Sequence, residues 1–299
     1  MNERMPAYGG QAVIEGVLMR GKSSVAMANR APNQEIIIHH EKLSGVYTSK
    51  LTKIPFLRGL IGLWDALGLG IRYLTLSANV QTGEEEKIEG PMLYITMAIS
   101  LIFGIGLFFL APALVSALLA RFIDMSPWVS NLLEGIFRLV MLIAYLWAIG
   151  KMPDIKRVFM YHGAEHKTIN AYEDGADLTV DSVATYPLQH PRCGTSFILT
   201  LVILSILLFS MLGPLPLHWR MISRILMIPV LAGLAYEYIR WVSKHLDNPL
   251  VRILIRPNLA LQNMTTREPS NDMLEVSIQA FNLMTSLEKE SEQNLLVHP

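Results

Sequence analysis

PMLYITMAISLIFGIGLFFLAPALVSALL, residues 91–119, decides the class of this chain: 29 consecutive residues carry no charge. About 20 apolar residues cross the hydrocarbon of a bilayer, so this run crosses with room for tilt. Pro112 near its end is expected to kink it. Three further apolar stretches follow. Asn131 to Ile149 is interrupted by Glu134 and Arg138, which either pair four residues apart on one helical face or lie solvated at the interface. Phe197 to Leu212 is the third. Met221 to Ile239 is the fourth, interrupted but not ended by Pro229 and Gly233.

The chain is 299 residues long, with 25 basic and 25 acidic side chains. No net field favours nucleic acid, and none is expected as a partner. Its apolar fraction of 52% is high for a water-soluble protein of this length. A single cysteine, Cys193, rules out an intramolecular disulfide. The opening MNERMPAYGGQAVIEG has no basic-then-apolar leader pattern, so internal segments are expected to drive insertion. Ten Lys or Arg precede the first stretch, five lie in 151–196 and six follow from Arg240. The short connections between the first and second and between the third and fourth stretches carry Arg121 and Arg220 only. The positive-inside bias predicts a multi-pass protein of the cytoplasmic membrane with both termini inside.

The expected fold class is an α-helical integral membrane protein. It has about four transmembrane helices, a small N-terminal β-rich cytoplasmic region and interfacial helices. The β-rich region is residues 1–55, where Ser24–Arg30 and Glu35–His40 flank a turn at Ala31–Gln34 and Val46–Ile54 is a further extended segment. Residues 56–90 hold an interfacial helix and an acidic linker, with a fifth span as the alternative reading of Phe56–Val80. Transmembrane hairpins occupy 91–150 and 197–241, separated by a cytoplasmic loop at 151–196. The tail, 242–299, carries an interfacial segment at Asn248–Leu261 and an amphipathic helix at Asn271–Leu287.

Chemistry concentrates in the 151–196 loop. DIKRVFMYHGAEHKTINAYEDG has helical periodicity ending near Gly175. His162 and His166 lie four apart on one face, and Glu173 returns to that face seven residues on. Two imidazoles and a carboxylate suit Zn²⁺ or a similar divalent ion. His190 and Cys193, spaced H-x-x-C before the third apolar stretch, can add ligands. The spelling H-x-x-E-H also fits inverted zincins, whose glutamate is a general base. Glu165 lies about 60° around the helix from His162, suiting contact with an activated water better than shared ligation. The competing readings are ordinary hydrogen bonding for the histidines and a buried thiol for Cys193. Glu15, in a turn-rich segment, is a further candidate carboxylate. Glu237 and Arg240, three apart, form either a buried pair or a functional charge.

GGQAVIEGVLMRG at 9–21, HGAEHKTINAYE at 162–173, HPRCGTSF at 190–197, DNPLVR at 247–252 and TTREP at 265–269 together resemble the motifs of the DUF1385 membrane proteins, the YqhQ-like group. The resemblance covers nearly the whole chain. It implies a metal-dependent enzyme with His162, Glu165, His166, Glu173, His190 and Cys193 in one site, and it draws in Glu15. It names no substrate. The expected function is a divalent-metal-dependent hydrolase, with Glu165 acting on a water that the ion acidifies. Membrane lipids are expected partners, and a lipid-linked or membrane-protein substrate is expected from location. The alternatives are a scaffold with a structural metal, or a lipid- or solute-handling protein using Glu134, Arg138 and Glu237.

Overall fold

The computed structural model describes residues 8–43, 51, 54–83, 90–213 and 215–297. Most of the segment expected to extend near Val46–Ile54, and the acidic stretch 84–89, lie outside the described residues.

Four strands, β1 (Gly9–Val13), β2 (Gly16–Arg20), β3 (Ser24–Arg30) and β4 (Ile36–Lys42), form an antiparallel meander in the order β1-β2-β3-β4. The β3–β4 hairpin matches the sequence expectation, with Arg30 opposite Ile36. The β1–β2 hairpin was hidden among glycines. Its turn, Ile14-Glu15, bridges Val13 and Gly16, and Glu15 takes φ of 52° there. The middle strands are buried on both faces, so they lack the apolar-polar alternation of a half-exposed sheet.

On one face Leu18, Val25 and Met27 pack against Leu69 and Tyr73 of α1 (Leu57–Thr82). On the other, Val17, Met19, Ala26 and Ala28 join Tyr161, Ala164 and Ile169 of α5 (Pro153–Glu173) and Met273, Phe281 and Met284 of α11 (Asn271–Val297). α11 thus completes the core of this layered unit through Met273–Met284, and the helix itself runs ten residues beyond the amphipathic one read from the sequence. The Glu288 carboxylate accepts bonds from the Ser23 backbone N–H at 2.7 Å and the Ser24 hydroxyl at 2.6 Å, fastening α11 to the β2–β3 turn.

The apolar part begins with α2 (Pro91–Ile105), a π-helical turn at Gly106–Leu110 and α3 (Ala111–Leu119). Pro112 sits at the start of α3 and has no N–H to offer the Phe108 carbonyl four residues back. That carbonyl instead accepts from Arg138 Nε at 2.8 Å. Pro91–Leu119 and α4 (Pro127–Ile149) are long and apolar enough to cross a membrane. A short α6 (Val180–Ala184) follows α5. α7 (Gly194–Ser210) is apolar but only 17 residues, about 25 Å at a helical rise. The fourth apolar stretch is broken: α8 (Leu217–Leu226) and α9 (Ile228–Lys244) meet at Met227 with a 43° bend, where Pro229 opens the second helix. Counted as one, the bent pair brings the candidate spans to three.

Glu134 and Arg138 are a buried ion pair at 2.8 Å, which settles the choice between pairing and interfacial solvation. Glu237 pairs with Arg58 of α1 and accepts from the Phe56 N–H at 3.0 Å. The expected partner was Arg240; tertiary packing of α1 on α9 supplied a nearer guanidinium. This packing is close because Gly233 lies directly under the Phe56 ring and Gly59 under Tyr236. α10 (Pro249–Thr265) returns the chain along α7 toward the layered unit.

A candidate metal centre between α5 and the start of α7

α5 ends where the sequence placed it. Gly175 takes φ of 78°, and the Ala176 N–H bonds back to the Ala171 carbonyl at 3.0 Å. On this helix the His162 and His166 rings stand one turn apart, 4.4 Å between centroids. Each is fixed by its Nδ1. His162 Nδ1 meets the Thr265 carbonyl at 2.9 Å, and His166 Nδ1 meets the Leu188 carbonyl at 2.5 Å. A carbonyl only accepts, so both Nδ1 atoms carry a proton, and in the neutral form of each ring Nε2 presents a lone pair.

Those lone pairs converge with the sulfur of Cys193. The ligand atoms of His162, His166 and Cys193 all lie within 4.8 Å of one another. Cys193 is the N-cap of α7, where its sulfur accepts the Thr195 N–H at 3.4 Å and lies 3.2 Å from His162 Nε2. His166 Nε2 is buried and has no hydrogen-bond partner among the described residues. An imidazole nitrogen stripped of water and left unpaired is costly in a folded protein. Nδ1–H bonds to backbone oxygens are also the usual outer support of metal-bound histidine. By donor type, tautomer and spacing these three residues fit a divalent ion.

Glu165 flanks the pair, its Oε2 3.8 Å from both Nε2 atoms. It is 5% exposed, and burial pushes its carboxyl up to about 7, against the lowering effects of His162 and the Gly10 N–H. Gly10 is required there, since a Cβ would stand 2.8 Å from Glu165 Cγ. A cavity of about 70 Å³ opens over the group, lined by Tyr8, Gly9, Gly10, His190 and Arg192 among others.

The remaining candidates sit around this centre. Glu173 shares the angular position of the histidines but lies about 10 Å further along the helix than His166. It forms an ion pair with Arg192 and lies 3.5 Å from His190 Nε2. Burial works to raise Glu173, and the His190 bond and Arg192 charge outweigh it, holding the carboxyl below its ordinary range. Burial lowers His190, whose ring centre is 5.7 Å from that of His166. Gln262 clamps the His190 backbone on both sides, at 2.9 and 2.8 Å. Glu15 lies outside the cluster, paired with Arg157 at 2.5 Å. Glu237 belongs to the contact between α1 and α9, and Arg240 is exposed on α9.

Sequence reasoning missed the Thr265 and Leu188 carbonyls and the Gly10 amide, because backbone groups leave no residue-type signal. The motifs GGQAVIEG and TTREP did contain Gly10 and Thr265. Gly163 marks the same contact: a Cβ there would come 2.2 Å from the Arg267 carbonyl oxygen.

A family model described as "Protein of unknown function (DUF1385)" matches residues 54–287, and the chain belongs to that family. It is 36% identical to the "Uncharacterized protein YqhQ" of Bacillus subtilis (strain 168) over 306 residues, which cover 97% of this chain and 95% of that protein. No solved structure matches the chain.

Proposed function

We propose that this chain is a divalent-metal-dependent hydrolase of the cytoplasmic membrane, working at the inner face. The observation that carries the reading is the pair of tautomer-locked imidazoles aimed, with the Cys193 sulfur, at one buried point where His166 Nε2 lacks a partner. His162, His166 and Cys193 would hold the ion, zinc by preference for this nitrogen-sulfur donor set. When bound, the ion supplies Lewis acidity to a substrate oxygen and to water. Glu165, beside both imidazoles and pushed up to about 7 by burial, takes and returns a proton at its carboxylate. Glu173 and Arg192 orient His190 at the rim, and Tyr8, Gly9 and Gly10 narrow the approach.

Four crossings complete the reading. α2 has no buried residue, and Met92, Tyr94, Ile99, Ile102 and Phe103 all project outward, which suits lipid. α7 and the bent α8–α9 pair would supply the second hairpin, and the distribution of basic residues supports both termini inside. The nearness of the centre to the start of α7 favours a lipid-linked or membrane-protein substrate.

A structural metal is the second reading, favoured by Glu165: its carboxylate is near enough to both imidazoles to close the shell as a fourth ligand. The full chain, purified in mild detergent, should carry near-stoichiometric zinc, lost in His162→Ala and in His166→Ala. Cobalt substitution should give a thiolate charge-transfer band that Cys193→Ser abolishes. Glu165→Gln should keep the metal and fail to complement a deletion strain. Metal-free wild type under every loading condition would sink both readings, whereas a Glu165→Gln protein that loses metal would favour the structural one.

A further inference from the structure

At the other end of α7, a second cluster stands apart from the candidate metal centre and does not depend on it. Cys193 caps one end of this helix; the Leu212 carbonyl, just past the other, accepts from Asn131 Nδ2 at 3.0 Å. The two ends are separated by about 25 Å of helix. Here Glu134, fully buried, receives three guanidinium groups: Arg138 at 2.8 Å, Arg220 at 2.9 Å and Arg224 at 2.7 Å.

One carboxylate faces three cations. Among the described residues no other acid pairs with any of the three; Asp124, in the turn between α3 and α4, is not bonded to them. The cluster therefore holds two positive charges in excess. Arg138 and Arg224 are 0% exposed. Buried charge is kept in proteins where it is paired, and the unpaired remainder calls for an anion.

There is room for one. A cavity of about 180 Å³, lined by Ser130, Asn131, Leu212, Gly213, Arg220 and Arg224 among others, opens between the α3–α4 and α7–α8 turns. Its wall carries two guanidinium groups, the side chain best suited to phosphate oxygens. Arg220 also donates to the Ser130 hydroxyl at 3.0 Å, and Arg224 to the Asn131 side-chain oxygen at 2.9 Å, so both guanidinium groups are held in place. Phe122, two residues after the lining Ala120, and Met211, next to the lining Leu212, are among the most exposed apolar side chains, a surface suited to acyl chains.

We infer that this cavity binds a phosphate group, from a phospholipid headgroup or as the free anion, on the membrane face opposite the candidate metal centre. The test uses the full chain in non-ionic detergent and follows thermal unfolding. The probes are dihexanoyl phosphatidic acid, inorganic phosphate, and dihexanoylglycerol as the phosphate-free control. A phosphate-bearing probe should protect saturably, and dihexanoylglycerol should not. Arg220→Gln should weaken that protection about tenfold or more, the scale of a lost charge-assisted hydrogen bond. Removing Arg220 disturbs the cluster itself, so Gly213→Trp provides the independent variant. Gly213 lines the cavity together with Arg220 and Arg224, and a Cβ there meets no atom within 4 Å, which leaves room for a bulky side chain at this wall. Gly213→Trp should abolish protection, while His166→Ala should leave it intact.

Protection by phosphatidic acid alone assigns the site to a lipid headgroup; equal protection by inorganic phosphate assigns it to the free anion. No saturable protection by either, equal protection by dihexanoylglycerol, or full protection of Gly213→Trp would overturn the inference and leave the cluster as internal packing.

Discussion

Replacing Gly163 by alanine adds one methyl group at the tightest point beneath the candidate metal centre. That carbon would stand 2.2 Å from the Arg267 carbonyl oxygen and 2.8 Å from Leu188 Cδ2, where ordinary contact begins at 3.4 Å. The Leu188 methyl can rotate away; the Arg267 backbone must retreat by about 1.2 Å to reach an ordinary contact. The Arg267 N–H is bonded to the Phe159 carbonyl at 2.9 Å, and a retreat of that size breaks the bond. Overpacking costs about 1–3 kcal/mol and the lost hydrogen bond about 1 more, for a total of roughly 2–4 kcal/mol. On the usual scaling this lowers the melting temperature by about 5–15 °C. Thr265, two residues before Arg267, moves with it and loosens its hold on His162 Nδ1, so zinc content should fall as well. The assay is thermal unfolding of the detergent-purified full chain with elemental analysis of the same samples. Gly9→Ala serves as control, since a Cβ at Gly9 meets nothing within 4 Å. A Gly163→Ala protein that melts with wild type and holds the same metal would refute the reasoning.

Glu288→Gln should destabilise the layered unit by about 1–3 kcal/mol, the range for hydrogen bonds to a charged group. Burial works to raise Glu288, but bonds from Ser24 and Ser23 outweigh it and hold the carboxylate below its ordinary 4.5. Its stabilisation is therefore complete above that pH and is lost as pH falls through the lower folded-state value, a loss the variant should not show in acid titrations of stability. Arg157→Ala removes a half-exposed pair with Glu15; it should cost less than about 1 kcal/mol and leave metal content unchanged, as measured on the same purified protein. For topology, Phe122→Cys should react with an impermeant maleimide from outside intact cells and Lys289→Cys only in inverted vesicles. Native Cys193, 6% exposed, should be slow in both. Outside labelling at residue 289 would reverse the orientation.

Periodicity made much of α5 legible. Its histidine pair needs only the 3.6-residue repeat, and Gly175 marks its end. What a helical wheel omits is distance along the axis. It put Glu173 in line with the histidines, yet seven residues of rise carry that carboxylate to Arg192. It set Glu165 to one side, yet a flexible side chain beneath Gly10 reaches both Nε2 atoms. The first hairpin was obscured because β1 is held by backbone pairing with β2 and buries only Val13, so it shows no apolar alternation. The helix break at Met227 was signalled only by Pro229, because hydropathy continues across it. Residues 271–297 read as a tail because a window of sequence cannot show that a sheet from the other end of the chain awaits them.

That last arrangement bears on the order in which the protein can be completed during synthesis. Gly10 emerges from the ribosome first, His162 and Cys193 midway, and Thr265, whose carbonyl locks His162, only after every apolar helix has been made. α11, which closes the layered unit over β2 and β3, comes last. A nascent chain halted before residue 265 would hold both histidines with one of them free to swing. The segment from Thr265 through α11 must therefore be made before His162 is locked and β2 and β3 are covered.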